Sequence, residues 1–173
     1  VSAFSAIPYV LSGEIPRYID AFFEMVSGFT TTGSSILTNI EAMSHTGLFW
    51  RSFTHWIGGM GILVFVIAFI PIASGRSMHI LKAEVPGPVV GKLVSKVRAT
   101  ARILYFIYAA LTVIEIILLL LGGMPVFDSI LNAFGTAGTG GFAIKNASIA
   151  AYHNAYYDVV ITIFMILFGI NFN

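Results

Sequence analysis

Two stretches, IDAFFEMVSGFTTTGSSI at 19–36 and FDSILNAFGTAGTGGFAI at 127–144, align without gaps and decide the fold of this chain. Four residues of the first copy have an identical residue 108 positions later: Asp20, Thr31, Gly33 and Ile36. Four identities alone are weak, but each copy also lies just before a long apolar segment. The stretches therefore indicate an internal repeat of one structural unit.

Each copy indicates a short amphipathic helix followed by a Gly/Thr strip without helical or strand periodicity. Non-helical backbone is tolerated at membrane depth only where protein buries it or where it lines a watery cavity. Glycine accepts a positive φ, which lets successive carbonyls point to one side, and such oxygens beside water suit a cation. Asp20 and Asp128 begin the two helices, where helix capping is favoured over direct ion ligation.

The composition is that of a membrane protein. Apolar residues make up 57% of the 173 residues and charged residues 10%, against roughly 45–50% and 25% in soluble domains. Nine basic and eight acidic residues could not cover the cores of a soluble chain of this length. The chain has no Cys, and its four His residues lack metal-ligand spacing, which excludes thiol chemistry and disfavours metal catalysis.

Three apolar segments predict membrane spans: Ser52–Gly75, Ile103–Leu121 and a third from about Tyr156. The intervening segment 71–102 holds six of the nine basic residues and one acid, so the positive-inside rule places it in the cytoplasm. Anionic lipid explains this charge better than nucleic acid, and we expect no nucleic-acid partner. The two repeats then face the outside. Because residue 1 is not Met and the chain stops inside an apolar run, we expect a longer parent protein.

Taken together, four sequence segments resemble the Trk/Ktr/HKT superfamily of potassium transporters over nearly the whole chain. The resemblance is carried by IPRYIDAFFEMVSGFTTTGSSIL, FWRSFTHWIGGMGILV, AEVPGPVVGKLVSKVRATARILYFIY and LNAFGTAGTGGFA. It implies an all-α membrane protein of helix, re-entrant pore-helix loop, helix units, four of which surround a pore with pseudo-fourfold symmetry. It also implies a homodimer in the bacterial inner membrane and a cytoplasmic nucleotide-binding regulatory subunit (TrkA-like).

The resemblance implies that backbone carbonyls of two filter strips bind potassium. These residues are Thr31, Thr32, Gly33, Ser34, Thr139, Gly140, Gly141 and Phe142. Supporting roles go to Thr30, Asp20, Asp128 and Gly138. Gly33 and Gly141 match the hallmark glycine, where serine goes with sodium permeation in relatives. A register with Gly138 as the hallmark is the alternative, which the 13-residue Asp-to-Gly spacing disfavours.

Two pore units follow from this reading. The first is 1–73, with the end of an outer helix, a pore helix and filter at 15–36 and an inner helix at about 48–73. A cytoplasmic basic loop at 74–98 separates the units. The second is 99–173, made of an outer helix at about 99–121, a pore helix and filter at 126–144 and a truncated inner helix from about 156.

Several further residues leave alternatives open. Gly58, Gly59 and Gly61 provide either a gating hinge or close helix packing, of which packing is favoured. Arg51 and His55 either pair with Asp20 or Glu24 or serve at the interface. Glu115, inside an apolar run, predicts a structural role over a functional one, and Lys145 is either an exposed loop residue or a modulator of ion entry.

We therefore expect potassium uptake through a filter of backbone carbonyls, with potassium as the transported ion, no cofactor and no enzyme activity. A sodium-permeable or weakly selective cation transporter is the alternative within the same class. A non-transporting membrane scaffold, in contact with lipid and other subunits, is the alternative from another class. An intramembrane enzyme centred on Glu115 and His55 is the least favoured.

Overall fold

Seven α-helices and two 3-10 turns make up the described part of the chain in a computed structural model. It describes residues 1–61 and 94–170, with side chains for 1–61 and 101–170. No strand occurs within these ranges, in agreement with the all-α expectation.

Four helices form the first half: α1 Ser2–Ser5, α2 Ile7–Ser12, α3 Tyr18–Phe29 and α4 His45–Gly59. Pro8 lies in the first turn of α2, where a missing N–H is tolerated. Gly13 ends α2 with a left-handed φ of 76°, which a residue with a Cβ disfavours. The sequence thus turns before α3, the first of the two short re-entrant helices.

The second half repeats the register of the first. It contains α5 Val94–Leu121, α6 Val126–Ala137 and α7 Ala155–Gly169. Helix α6 begins and ends 108 positions after α3, and the 3-10 turn Ser148–Tyr152 begins 108 positions after the turn Ile40–Ala42. The backbone therefore preserves a repeat that only four identities mark in the aligned sequence.

The continuous helix expected over Ser52–Gly75 is wrong in its start and, within the described residues, in its continuity. Helix α4 begins earlier, at His45, because the Ser44 hydroxyl accepts a hydrogen bond from the Gly47 N–H at 3.1 Å. It ends at Gly59, and Gly61 has a φ of 72°, which stops a right-handed helix. Residues 62–75, the rest of that predicted span, lie outside the described residues.

Helix α5 is the one helix in the described ranges that is long and apolar enough to cross a membrane. The candidate span is its segment Ala101–Leu121. The 28 residues of α5 extend about 42 Å, which exceeds a hydrocarbon core of about 30 Å. Its large exposed apolar side chains are Ile103, Phe106, Val113, Ile114, Ile117 and Leu121. The expected loop at 74–98 lies outside the described residues, except that 94–98 belong to α5.

Helix α4 joins the two halves, because it packs against both α3 and α6. Helix α6 also packs against α5 and α7. One buried cluster holds Ala21 and Met25 of α3, and another holds Leu48 of α4 with Leu131 of α6. The two re-entrant helices are thus positioned by a single shared helix.

A close approach of α3 and α4 depends on Gly28. A Cβ at Gly28 would overlap the Thr54 hydroxyl oxygen, and Thr54 is completely buried. The Thr54 hydroxyl donates to the Arg51 carbonyl at 2.7 Å, so it cannot simply rotate away without losing that bond. The missing side chain of Gly28 therefore sets the spacing of these helices.

We predict that Gly28→Ala lowers the stability of the detergent-solubilised full-length protein by about 1–3 kcal/mol through overpacking. Thermal unfolding measures the effect, and Thr54→Ala in the same background should recover part of it by removing the overlapping oxygen. Gly169→Ala is the matched control, since a Cβ there meets no atom of the described residues within 4 Å. Unchanged melting of Gly28→Ala would contradict this packing.

Candidate functional site

Two short strips with the same backbone pattern follow the re-entrant helices. Thr31 and Gly33 have φ of 54° and 75°, and Thr139 and Gly141 have φ of 51° and 82°. Thr32 and Gly140, between them, have no positive φ. Alternation of left-handed with other conformations turns successive peptide planes, so that carbonyls can face one side. We call 31–34 the first strip and 139–142 the second strip.

The threonines of these strips were not anticipated as left-handed residues. A positive φ is uncommon outside glycine, and for a β-branched side chain it is a real conformational outlier. Such strain is costly and clusters at functional sites, where surrounding structure holds it. Thr31 and Thr139 carry it at equivalent positions, so the repeat extends to the strained geometry.

The glycine pattern also distinguishes the two registers considered for the second strip. Gly138 caps α6 with a right-handed φ of −75°, whereas Gly141 shares the left-handed conformation of Gly33. The backbone therefore pairs Gly33 with Gly141, in the register that the 13-residue spacing favours.

The strips lie directly against each other. A Cβ at Gly33 would overlap the carbonyl oxygen of Gly140, and one at Gly140 would overlap that of Thr31. Gly33 and Gly140 are thus required by close backbone approach. By contrast, a Cβ at Gly141 meets no atom within 4 Å in the described residues.

Glu24 holds the end of the first strip from within α3. Its carboxylate accepts the Ser35 hydroxyl at 2.9 Å and the Ile36 N–H at 3.0 Å, and its side chain is fully buried. The Thr30 hydroxyl donates to the Val26 carbonyl at 2.7 Å, and its oxygen lies 2.8 Å from that of Thr32. The expected supporting position of Thr30 is thus at the base of the first strip.

Arg51 of α4 connects this carboxylate to the other strip. Its Nε donates to Glu24 at 2.6 Å, and its Nη1 donates to the Ala143 carbonyl at 2.9 Å. Arg51 is 1% exposed, so the ion pair lies out of water. Of the alternatives left open for Arg51, the structure shows the pairing with Glu24, whereas Asp20 lies 3.7 Å from Arg17.

The two aspartates lie in the first turns of their helices, as predicted, where a carboxylate favours the positive end of the helix dipole. The capping role favoured for these aspartates is wrong: the N-cap positions are Arg17 and Pro125, and neither helix has a side-chain cap hydrogen bond. Asp128 instead accepts the Tyr152 hydroxyl at 2.7 Å. Burial and this acceptor raise the pKa of Tyr152, so the hydroxyl stays protonated and donates.

The remaining candidate residues are the glycines near the end of α4 and the last residue of each strip. Gly58 and Gly59 support helix packing, since a Cβ would overlap the Phe29 carbonyl or the Tyr108 hydroxyl. Gly61, left-handed, is where α4 has ended. Within the strips, Ser34 is exposed and Phe142 is buried. Equivalent positions of the two units therefore have different surroundings.

Beyond the strips, Asn146 connects the loops that follow them, a contact that no motif in the sequence indicates. Its carboxamide oxygen accepts the Ile40 N–H at 2.8 Å, and its Nδ2 donates to Asn39 at 2.9 Å. Glu41 accepts the Asn146 N–H at 3.1 Å and lies 3.9 Å from Lys145. Lys145 is thus part of a loop contact between the units.

Glu115 of α5 is completely buried, and α5 packs against α6. Neither carboxyl oxygen of Glu115 has a hydrogen-bond partner among the described residues. In the described ranges, no group of three or more His, Asp or Glu side chains could hold a metal ion. The fold therefore brings two backbone strips together, and the buried Glu24–Arg51 pair bonds to the residues that follow them.

Comparison with known proteins gives one consistent group of relatives. Residues 1–173 match the family described as TrkH, cation transport protein. The chain is 38% identical over 170 residues to the Trk system potassium uptake protein TrkH of Salmonella typhimurium, covering 96% of this chain and 35% of that protein. It is 34% identical over 173 residues to the Trk system potassium uptake protein TrkG of Escherichia coli, covering 99% and 36%.

The fold gives the same result. The crystal structure of the potassium transporter TrkH from Vibrio parahaemolyticus matches with a TM-score of 0.77 and 29% identity, covering 99% of this chain and 34% of that one. The expected helical membrane-transporter fold is confirmed by this similarity. The chain spans about a third of the length of these relatives.

We predict that Arg51→Met destabilises the full-length protein by about 3–5 kcal/mol, because Glu24 stays buried without its partner. The double variant Glu24→Gln/Arg51→Met should lose less stability than Arg51→Met alone, since no unpaired charge remains. Thermal unfolding in detergent measures both.

Lys145→Met is the control for loss of a basic residue, since the partly exposed Lys145–Glu41 pair should contribute about 1 kcal/mol or less. Equal losses for Arg51→Met and the double variant would contradict a buried, coupled pair.

Proposed function

This chain belongs to the TrkH family of cation transport proteins, and on that premise we propose that it supplies two pore units of a potassium uptake protein. The relatives that it resembles are named potassium uptake proteins. The proposal covers the whole parent protein, of which the chain matches about a third in those relatives.

The observation that carries the proposal is the paired geometry of the strips. Thr31 and Gly33 share left-handed conformations with Thr139 and Gly141, and Gly33 approaches the Gly140 carbonyl too closely for a Cβ. Two equivalent strips side by side suit a filter made of repeated units around one axis. A scaffold would have no need for two strained threonines at equivalent positions.

We assign cation binding to backbone oxygens of both strips. The ion-binding residues are Thr31, Thr32, Gly33, Ser34, Thr139, Gly140, Gly141 and Phe142. Carbonyl oxygens replace the hydration shell of potassium at successive sites, each favourable enough for entry and weak enough for release. The step involves no covalent chemistry, and potassium is the transported ligand.

Support for the strips comes from residues behind them. Thr30 bonds within the base of the first strip, Gly138 ends α6, and Glu24 and Arg51 fix the strip ends. Asp20 and Asp128 act on their helix N-termini through charge, not as ion ligands. These side chains hold backbone geometry and leave the carbonyls to the ion.

The proposed topology follows from charge and apolar length. Units at 1–73 and 99–173 lie in the bacterial inner membrane, with both strips toward the outside and the basic loop 74–98 in the cytoplasm. The parent protein is proposed to form a homodimer that binds a cytoplasmic nucleotide-binding regulatory subunit (TrkA-like).

The test is rubidium, potassium and sodium uptake by the full-length protein in uptake-deficient cells. We predict that Gly33→Ser lowers potassium uptake and its preference over sodium by about tenfold or more, since an added side chain displaces the Gly140 carbonyl. A misplacement of about 1 Å at a site can cost on the order of 100-fold.

Gly13→Ser is the matched control. Gly13 has a φ of 76°, nearly that of Gly33, so the local strain is the same, but it lies outside both strips. Uptake near that of the unsubstituted protein is expected for Gly13→Ser. Unchanged flux and selectivity in both Gly33→Ser and Gly33→Asp would contradict the assignment, and no ion-dependent flux in liposomes would favour a scaffold.

A further inference from the structure

Two side chains of α4, Arg51 and His55, contact the Phe142 ring. Arg51 and His55 are four residues apart and so share one face of the helix. The guanidinium carbon of Arg51 lies 3.6 Å from the centre of the Phe142 ring. The centre of the His55 ring lies 4.5 Å from it, at an interplanar angle of 43°. Phe142 is 3% exposed.

The His55 ring also fills the space beside the second strip. A Cβ at Gly138 or Gly140 would overlap the His55 ring, so these glycines let the ring approach the backbone. Neither ring nitrogen of His55 has a hydrogen-bond partner among the described residues, although His55 is fully buried. What His55 contributes to the second strip is therefore the volume and flat shape of its ring.

We propose that Arg51 and His55 are positioning residues that clamp Phe142 and thereby hold the second strip against the first. This inference rests on the proposed function, because it names what sets the cation selectivity of the same site. The Arg51 guanidinium adds a cation–π contact between two buried side chains, and desolvation strengthens such a contact. The His55 ring supplies the second contact with Phe142.

The clamp compensates for a difference between the two units. The first strip is held by Glu24 from its own re-entrant helix, through Ser35 and Ile36. The residue equivalent to Glu24 is Asn132, whose side chain contacts Tyr152 and Met124 and makes no bond to the second strip. The second strip is therefore held from α4, which belongs to the other unit.

A shift of the second strip would reach the first. Gly140 lies against both His55 and the Thr31 carbonyl, so loss of the ring opens space on one side of a tight backbone contact. Cation selectivity in such a site depends on the spacing and number of its oxygens. Removal of the His55 ring should therefore change the preference for potassium more than it changes the amount of folded protein.

The test compares His55→Ala, which removes the ring, with His55→Gln, whose planar amide fills much of the same space. Rubidium and sodium uptake are measured for the full-length protein in uptake-deficient cells, corrected for the amount of folded protein. We expect the rubidium-to-sodium ratio to fall about tenfold in His55→Ala and at most about threefold in His55→Gln. His45→Ala, which removes an exposed histidine of α4 that contacts Phe127, should leave the ratio unchanged.

Phe142→Leu keeps the proposal falsifiable where His55→Ala does not fold. It removes the clamped ring, so the ratio should fall as in His55→Ala, and the double variant should fall no further. A ratio that stays at the level of the unsubstituted protein in either single variant would overturn the clamp. So would equal losses in His55→Gln and His55→Ala.

Hydrogen exchange of the amides at 138–143 separates this inference from the proposed function. Exchange in the detergent-solubilised protein should be faster in His55→Ala than in His45→Ala if the ring holds the strip. Faster exchange together with no cation flux in the unsubstituted protein would refute the function and keep the clamp. Normal flux with unchanged exchange would refute the clamp and keep the function.

Discussion

The arrangement of both strips rests on the hydrogen bonds that the buried Arg51 guanidinium makes to Glu24 and to the Ala143 carbonyl. It neutralises Glu24 and donates to the Ala143 carbonyl, while Glu24 accepts from Ser35 and Ile36. Burial of two charges costs several kcal/mol for each ion and is offset only when further hydrogen bonds complete both groups. Here those bonds end at the residues just beyond the two strips, so the same contacts that satisfy the charges also position the backbone.

The two units have equivalent backbones but different side chains behind their strips. Helices α3 and α6 keep the same register, and the strips keep the same alternation of φ. The first unit has a carboxylate behind its strip, and the second has the neutral Asn132, which bonds to Tyr152. Because a neutral amide cannot hold the Arg51 guanidinium in the same way, one arginine serves both strips. Divergence between the repeats is thus tolerated where the neighbouring unit supplies the missing contact.

The sequence was sufficient for the elements whose signals are local. Composition predicted a membrane protein, the aligned spacing of Asp and Gly predicted the repeat and the glycine pair Gly33 and Gly141, and the family resemblance implied the all-α class. The sequence-based prediction missed the end of α4 at Gly59, because a run of apolar residues continues past that residue. It also missed the left-handed threonines and the contacts of Phe142 and Asn146, because these depend on residues distant in the chain.

Both strips are proposed to line one cation path, and anomalous scattering from bound ions can locate that path. A crystal structure of the full-length protein in a rubidium salt would locate the ions without reference to any variant. The account predicts anomalous density within coordination distance of backbone oxygens from both 31–33 and 139–141. Rubidium density that contacts neither strip, with ions bound elsewhere in the membrane region, would contradict it.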